Sequence, residues 1–155
     1  MKRAVGVIAA ALLGGLFGVL NAADEAGTIA LSQKNLAGTW KGLWVTPATK
    51  FTFELEFTVD EKGRVSGKYG HPGQKKSPGL GGTLTLGDAE TGAVSGTLTF
   101  GPKVVFQSQD GVRITAVTDA EKAQRGPFRL KGIFKTTAFP GDLGIDDLDV
   151  YGGTP

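Results

Sequence analysis

Phe51-Thr52-Phe53-Glu54-Leu55-Glu56-Phe57-Thr58-Val59 places an apolar residue at every odd position and a polar one at every even position. Successive side chains of a strand point to opposite faces, so this stretch predicts a β-strand with one buried face and one solvated face. The apolar face carries three Phe, a Leu and a Val. Each contributes about 1.5–3 kcal/mol when fully buried.

The same period recurs in Val94–Phe100, Val112–Ala116 and Phe128–Phe134, and more weakly in Thr39–Val45, Arg64–Gly70, Gly82–Leu86, Val104–Gln109 and Ile145–Tyr151. Turn chemistry separates them: Asp60-Glu61-Lys62-Gly63, Gly87-Asp88, Gly101-Pro102 and Asp110-Gly111, the last a two-residue hairpin signal. Short connections make consecutive strands antiparallel neighbours. The fold class is therefore all-β, a single antiparallel up-and-down β-barrel of eight or nine strands, with a two-sheet jelly-roll sandwich as the alternative. Ala120–Arg125 is rich in helix formers and reads as a short helical cap. Gly70–Gly79, with two prolines, reads as a long loop.

The chain opens on Met1-Lys2-Arg3, an apolar run from Ala4 to Leu20, and Leu20-Asn21-Ala22. A basic start, a short apolar run and a small residue at its end make residues 1–22 a signal peptide, and the expected location secreted or periplasmic. The run is shorter than the roughly 20 residues of a spanning helix, so no stable membrane span is expected after cleavage. Residues 23–37 form a lead-in and 38–155 the barrel domain. With no cysteine, neither a lipid anchor nor a disulfide framework is available.

The whole chain has 17 Lys+Arg against 15 Asp+Glu, and loss of Lys2 and Arg3 with the signal makes the two equal. Such a balance supplies no general attraction to nucleic acid, and none is expected as a partner. Charge is uneven, however: Lys62–Gly87 holds five basic residues and no acid, and Thr136–Pro155 holds Asp142, Asp146, Asp147 and Asp149 and no base. The two blocks either face each other or are separate solvated surfaces.

Enzymatic constellations are missing, and the expectation is a non-catalytic protein. His71 is the single histidine, and no serine stands in a Gly-x-Ser-x-Gly context. One His and no Cys cannot furnish the usual zinc set. Glu54 and Glu56 share the polar face of their strand with threonines, as a solvated outer surface would. No cofactor is expected; the Asp142–Asp149 segment has the hard oxygen ligands calcium favours, though not the spacing of an EF-hand loop.

Gly38-Thr39-Trp40 at the head of a meander resembles the Gly-x-Trp opening of the calycin barrels, the lipocalin and avidin families. Gly63-Arg64-Val65-Ser66-Gly67-Lys68-Tyr69 is similar to the third-strand motif of avidins. That resemblance implies that Tyr69 points into the barrel toward a ligand. Gly42 and His71 stand where avidins carry a ligand-binding Asn and Ser, no later strand carries a Trp, and no Arg follows Arg129 to cover the first-strand Trp as in lipocalins. A rival resemblance lies at the end, where Gly144–Tyr151 is similar to the last strand of carbohydrate-binding jelly rolls.

Alternation puts Tyr69 with Val65 and Gly67, and Asp146 with Leu148 and Val150, so each is a polar side chain on an otherwise apolar face. Such groups need partners, which a ligand can supply. The candidate ligand-binding residues are Tyr69, Asp146 and His71, with Trp40 and Trp44, which share a face of the first strand. No metal site is assigned. The function classes are a binder of a small apolar or amphipathic ligand inside a barrel, a carbohydrate-binding module using aromatic faces and the Asp-rich last strand with calcium as its candidate ion, and an envelope structural protein without ligand. N-terminal sequencing of exported protein is expected to begin at or near Ala23; material beginning at Met1 would contradict the signal peptide.

Overall fold

The computed structural model describes residues 30–155. The expected signal peptide, residues 1–22, and the first part of the lead-in lie outside the described residues. The elements in chain order are α1 (Gln33–Leu36), β1 (Gly38–Thr46), β2 (Phe51–Val59), β3 (Arg64–Gly70), β4 (Ser77–Leu86), β5 (Val94–Phe100), β6 (Val104–Ser108), β7 (Arg113–Ala116), α2 (Asp119–Arg125), β8 (Phe128–Lys135) and β9 (Ile145–Gly152). A 3-10 turn over Gly141–Gly144 precedes β9.

All nine strands expected from the alternation form, and they pair antiparallel in one sheet ordered β6-β5-β4-β3-β2-β1-β9-β8-β7. The first strand returns beside the last, with Trp40 opposite Gly152 and Trp44 opposite Leu148. Closure comes from β6, whose Gln107 and Ser108 pair with Lys135 and Phe134 of β8. The protein is thus a closed eight-stranded antiparallel barrel with one further strand, and the two-sheet sandwich is not formed.

Asp110-Gly111 does not make the expected hairpin. Gln109 O accepts from Val112 N, as in a tight turn, yet β6 and β7 both pair antiparallel with β8. Across the barrel wall, Phe106 is opposite Leu98 of β5, and beyond the turn Ala93 bridges to Arg113. The register on both neighbours slips by two residues between β6 and β7, so β7 continues the line of β6 past an extruded pair. Because side chains alternate with period two, a two-residue slip keeps the inward set inward. Phe106, Val112 and Ile114 are accordingly all buried.

The expected long loop is also shorter, because β4 begins at Ser77 and leaves only residues 71–76 outside the strands. Gly67 faces Leu80 and Lys68 faces Pro78, which leaves Gly79 as an extra residue at a bulge with φ +117°. A bulge is where a sheet tolerates the missing N–H of Pro78, and glycine adopts that φ without a Cβ clash. A Cβ on Gly42 would lie 2.2 Å from Asp149 O, so β1 and β9 approach there more closely than any side chain permits.

The core is the barrel interior, and among its largest fully buried side chains are Trp40, Trp44, Phe57 and Phe134. One end is sealed by α1, which belongs to the expected lead-in: Leu36 is fully buried, and Gln33 accepts from Leu86 N and donates to Leu84 O. Burial along β2 is graded, however. Leu55, Phe57 and Val59 are buried, but Phe53 is half-buried and Phe51 is 54% exposed. Both start the strand at the end opposite α1, where alternation still points them inward but little lies over them.

Outside, the charges pair locally rather than block to block. Glu56 meets Lys41 and Lys68 at 3.6 and 3.5 Å, Glu54 meets Lys76, and Asp149 receives a bidentate pair from Arg129 at 2.8 and 2.7 Å. Phe57→Ala is expected to cost about 3–5 kcal/mol, as large-to-small core changes do, whereas Phe51→Ala should change stability little. Chemical denaturation checks this, and equal midpoints for the two variants would contradict the graded burial.

Candidate functional site

At the end of the barrel away from α1, the side chains of β1, β2, β3, β5, β6 and β9 leave an open cavity of about 340 Å³. Its volume lies near the lower end of the roughly 300–1,000 Å³ usual for small-molecule sites. Phe53, Tyr69, Phe100 and Phe106 form much of the wall, and Phe51, Phe139 and Leu143 are wall residues that remain about half exposed at the mouth.

Trp44 holds the aromatic wall together. Its ring lies 4.8 Å from that of Phe100, 5.0 Å from Phe106 and 5.5 Å from Phe134, in tilted or edge-on arrangements. Tyr69 meets Phe100 edge-on at 5.0 Å and Phe53 at 6.4 Å. Such tilted and T-shaped pairs add about 0.5–1.5 kcal/mol each beyond burial. They make a wall of fixed rings.

Asp146, only 3% exposed, is the one carboxylate in the lining. The Trp44 indole N–H and the Thr46 hydroxyl, the latter at 3.2 Å, both donate to Oδ2. Oδ1 is buried and has no hydrogen-bond partner. Burial holds the Asp146 carboxyl above its ordinary pKa, against the opposing pull of the Trp44 and Thr46 hydrogen bonds, and the neighbouring Asp147 charge adds to the rise.

Of the residues singled out in the sequence, Tyr69, Asp146 and Trp44 share this cavity. His71 does not line it; it sits beside the mouth, its ring 4.9 Å from that of Phe53 and 6.3 Å from that of Phe51. Trp40 lies deep at the sealed end, fully buried, its indole N–H donating to Leu36 O at 2.8 Å. Its place on the inner face is as alternation requires, but α1 covers it. Neither Trp is exposed, so the pair offers no surface platform for a sugar ring.

Thr46, Thr49, Phe100, Val104, Phe106, Phe139 and Leu143 also line the cavity and carry no site signal in the sequence. The inward parity of Phe100 and Phe106 was legible; their position at the open end was not. The aspartates of the last segment are divided by strand alternation, Asp146 inward and Asp149 outward against Arg129. Among the described residues no group of three or more His, Cys, Asp or Glu is gathered to hold a metal ion, and no helix there is long and apolar enough to cross a membrane. Comparison with known proteins finds no family model, curated protein or solved structure that matches the chain.

A carboxyl with a raised folded-state pKa keeps a proton, in the interval above the ordinary carboxyl pKa, that the unfolded chain has released. Stability therefore falls as pH rises through that interval and stays lower above it. Asp146→Asn keeps the shape and an acceptor for Trp44 without the buried charge. It should raise the denaturation midpoint at pH 7, with the gap closing in acid below the ordinary carboxyl pKa. Equal midpoints at pH 7 would contradict the burial of a costly carboxylate.

Proposed function

We propose that this protein is a non-catalytic binding protein that takes a small apolar or amphipathic molecule into the open end of its barrel. One observation carries the reading: a mostly apolar cavity walled by aromatic rings is lined by Asp146, whose buried carboxyl has one oxygen with no partner. Buried polar groups in folded proteins are almost always satisfied, and each unsatisfied one costs about 1–3 kcal/mol or more. A protein that keeps such an oxygen beside an open cavity gains from it when a ligand supplies the missing donor.

The wall supports the same reading. A few oriented polar groups within a mostly aromatic lining is the composition of small-molecule sites, the rings supplying contact area and the polar groups orientation. Tyr69 brings a second polar tip to the wall, and Thr46 a third. Export to a secreted or periplasmic location, expected from residues 1–22, fits a carrier or scavenger of such molecules. A calycin-like relationship would fit as well, since the chain forms an antiparallel barrel whose first strand opens on Gly38-Thr39-Trp40.

N-phenyl-1-naphthylamine, an uncharged apolar dye that brightens on leaving water, tests the reading. It should bind the native protein at one site. Val104→Trp, which places an indole in the cavity wall, should weaken binding by about tenfold or more, since it removes contact area worth over 1.4 kcal/mol. Leu43→Trp on the outer face should leave it unchanged. Binding that is absent, or that Val104→Trp does not alter, would contradict a ligand site in the barrel.

A further inference from the structure

We infer that the ligand carries a positive charge, a protonated amine or comparable small organic cation on an apolar body, with Asp146 Oδ1 as its anchor. The inference rests on the cavity being a ligand site and concerns which chemistry it selects.

The lining contains one acidic residue, Asp146, and no Lys, Arg or His. Its Oδ2 already accepts from Trp44 and Thr46, while Oδ1 has nothing. The arrangement of donors is informative. Two donors converging on one oxygen favour the ionised form against burial, and in that form the second, buried oxygen is an acceptor that meets no donor. What is missing is a donor, and beside a buried negative charge a cationic donor gains most. Burial opposes the ionised form when the cavity is empty, and a cation entering would reverse that balance.

The rings reinforce the same sign. The faces of aromatic rings are electronegative and attract cations within about 6 Å of the ring centroid. Trp44 bonds Asp146 directly, Phe100 and Phe106 pack on Trp44, and Tyr69 packs on Phe100, so a cation at Oδ1 enters a neighbourhood of ring faces and edges. An anion there would meet the Asp146 charge with no compensating base. A neutral alcohol would satisfy Oδ1 without neutralising it. Lys76 pairs with Glu54 on the outer face and does not line the cavity.

The volume, about 340 Å³, suits a compact ligand of one or two rings or a short alkyl chain. A matched set that varies only the head group therefore decides the matter: 2-phenylethylamine, 2-phenylethanol and phenylacetate, titrated calorimetrically at neutral pH against the native protein and Asp146→Asn. The amine should bind the native protein roughly 10- to 100-fold more tightly than the alcohol, as a charge-assisted hydrogen bond adds, and phenylacetate more weakly than either. Asp146→Asn should bring amine and alcohol to within a few-fold of one another.

An amine that binds no better than the alcohol, or a preference that survives in Asp146→Asn, overturns the inference and leaves the cavity as a site for neutral apolar molecules. If none of the three compounds binds, the inference fails; if N-phenyl-1-naphthylamine also fails, so does the binding function. The native series alone decides the outcome should Asp146→Asn not fold.

Discussion

A buried indole N–H must be met by an acceptor, and β1 buries two of them four residues apart on the same inner face. The protein meets them in different ways. Trp40 gives its N–H to a backbone carbonyl of α1, and in doing so fixes the short helix that seals one end of the barrel. Trp44 gives its N–H to the carboxylate of Asp146, on the strand that pairs with β1. The first contact consumes a neutral group whose second lone pair is easily spared. The second brings a charge into the interior with half its acceptor capacity unused.

The pairing of the last strand with the first makes this asymmetry possible. Pairing of β9 with β1 places Asp147 opposite Val45 and Leu148 opposite Trp44, which brings Asp146 level with Thr46 at the end of the wall. A small barrel fills its interior with side chains. Here the filling is complete around Trp40, Phe57 and Leu36 but stops at Phe100, Phe106 and Tyr69. Sealed and open ends thus arise from one uniform wall, because the residues available to plug it are contributed at one end only.

Period-two alternation made nine strands and both inward polar residues, Tyr69 and Asp146, legible without coordinates. It carries parity and not depth, which is why Phe51 and Phe57 look alike in sequence yet one stands at the mouth and the other in the core. The same blindness joined Trp40 to Trp44. Asp110-Gly111 departs from the hairpin expectation for a different reason: a tight turn that extrudes two residues from a continuing strand has the same local chemistry as one that reverses it, and only the common partner β8 distinguishes them. Phe139 and Leu143 come from the β8–β9 connection, which carries no periodic signal, so their arrival at the mouth depends on tertiary placement alone.

On the proposed function, ligands enter at the Trp44 end of the barrel and not at the Trp40 end. The two indole N–H groups give two separate signals in a proton–nitrogen correlation spectrum, one from each end of the barrel. Titration with 2-phenylethylamine should shift the Trp44 signal, whose acceptor is the proposed anchor, while the Trp40 signal, bonded to Leu36 at the sealed end, stays in place. A still Trp44 signal, or movement confined to Trp40, would contradict the account.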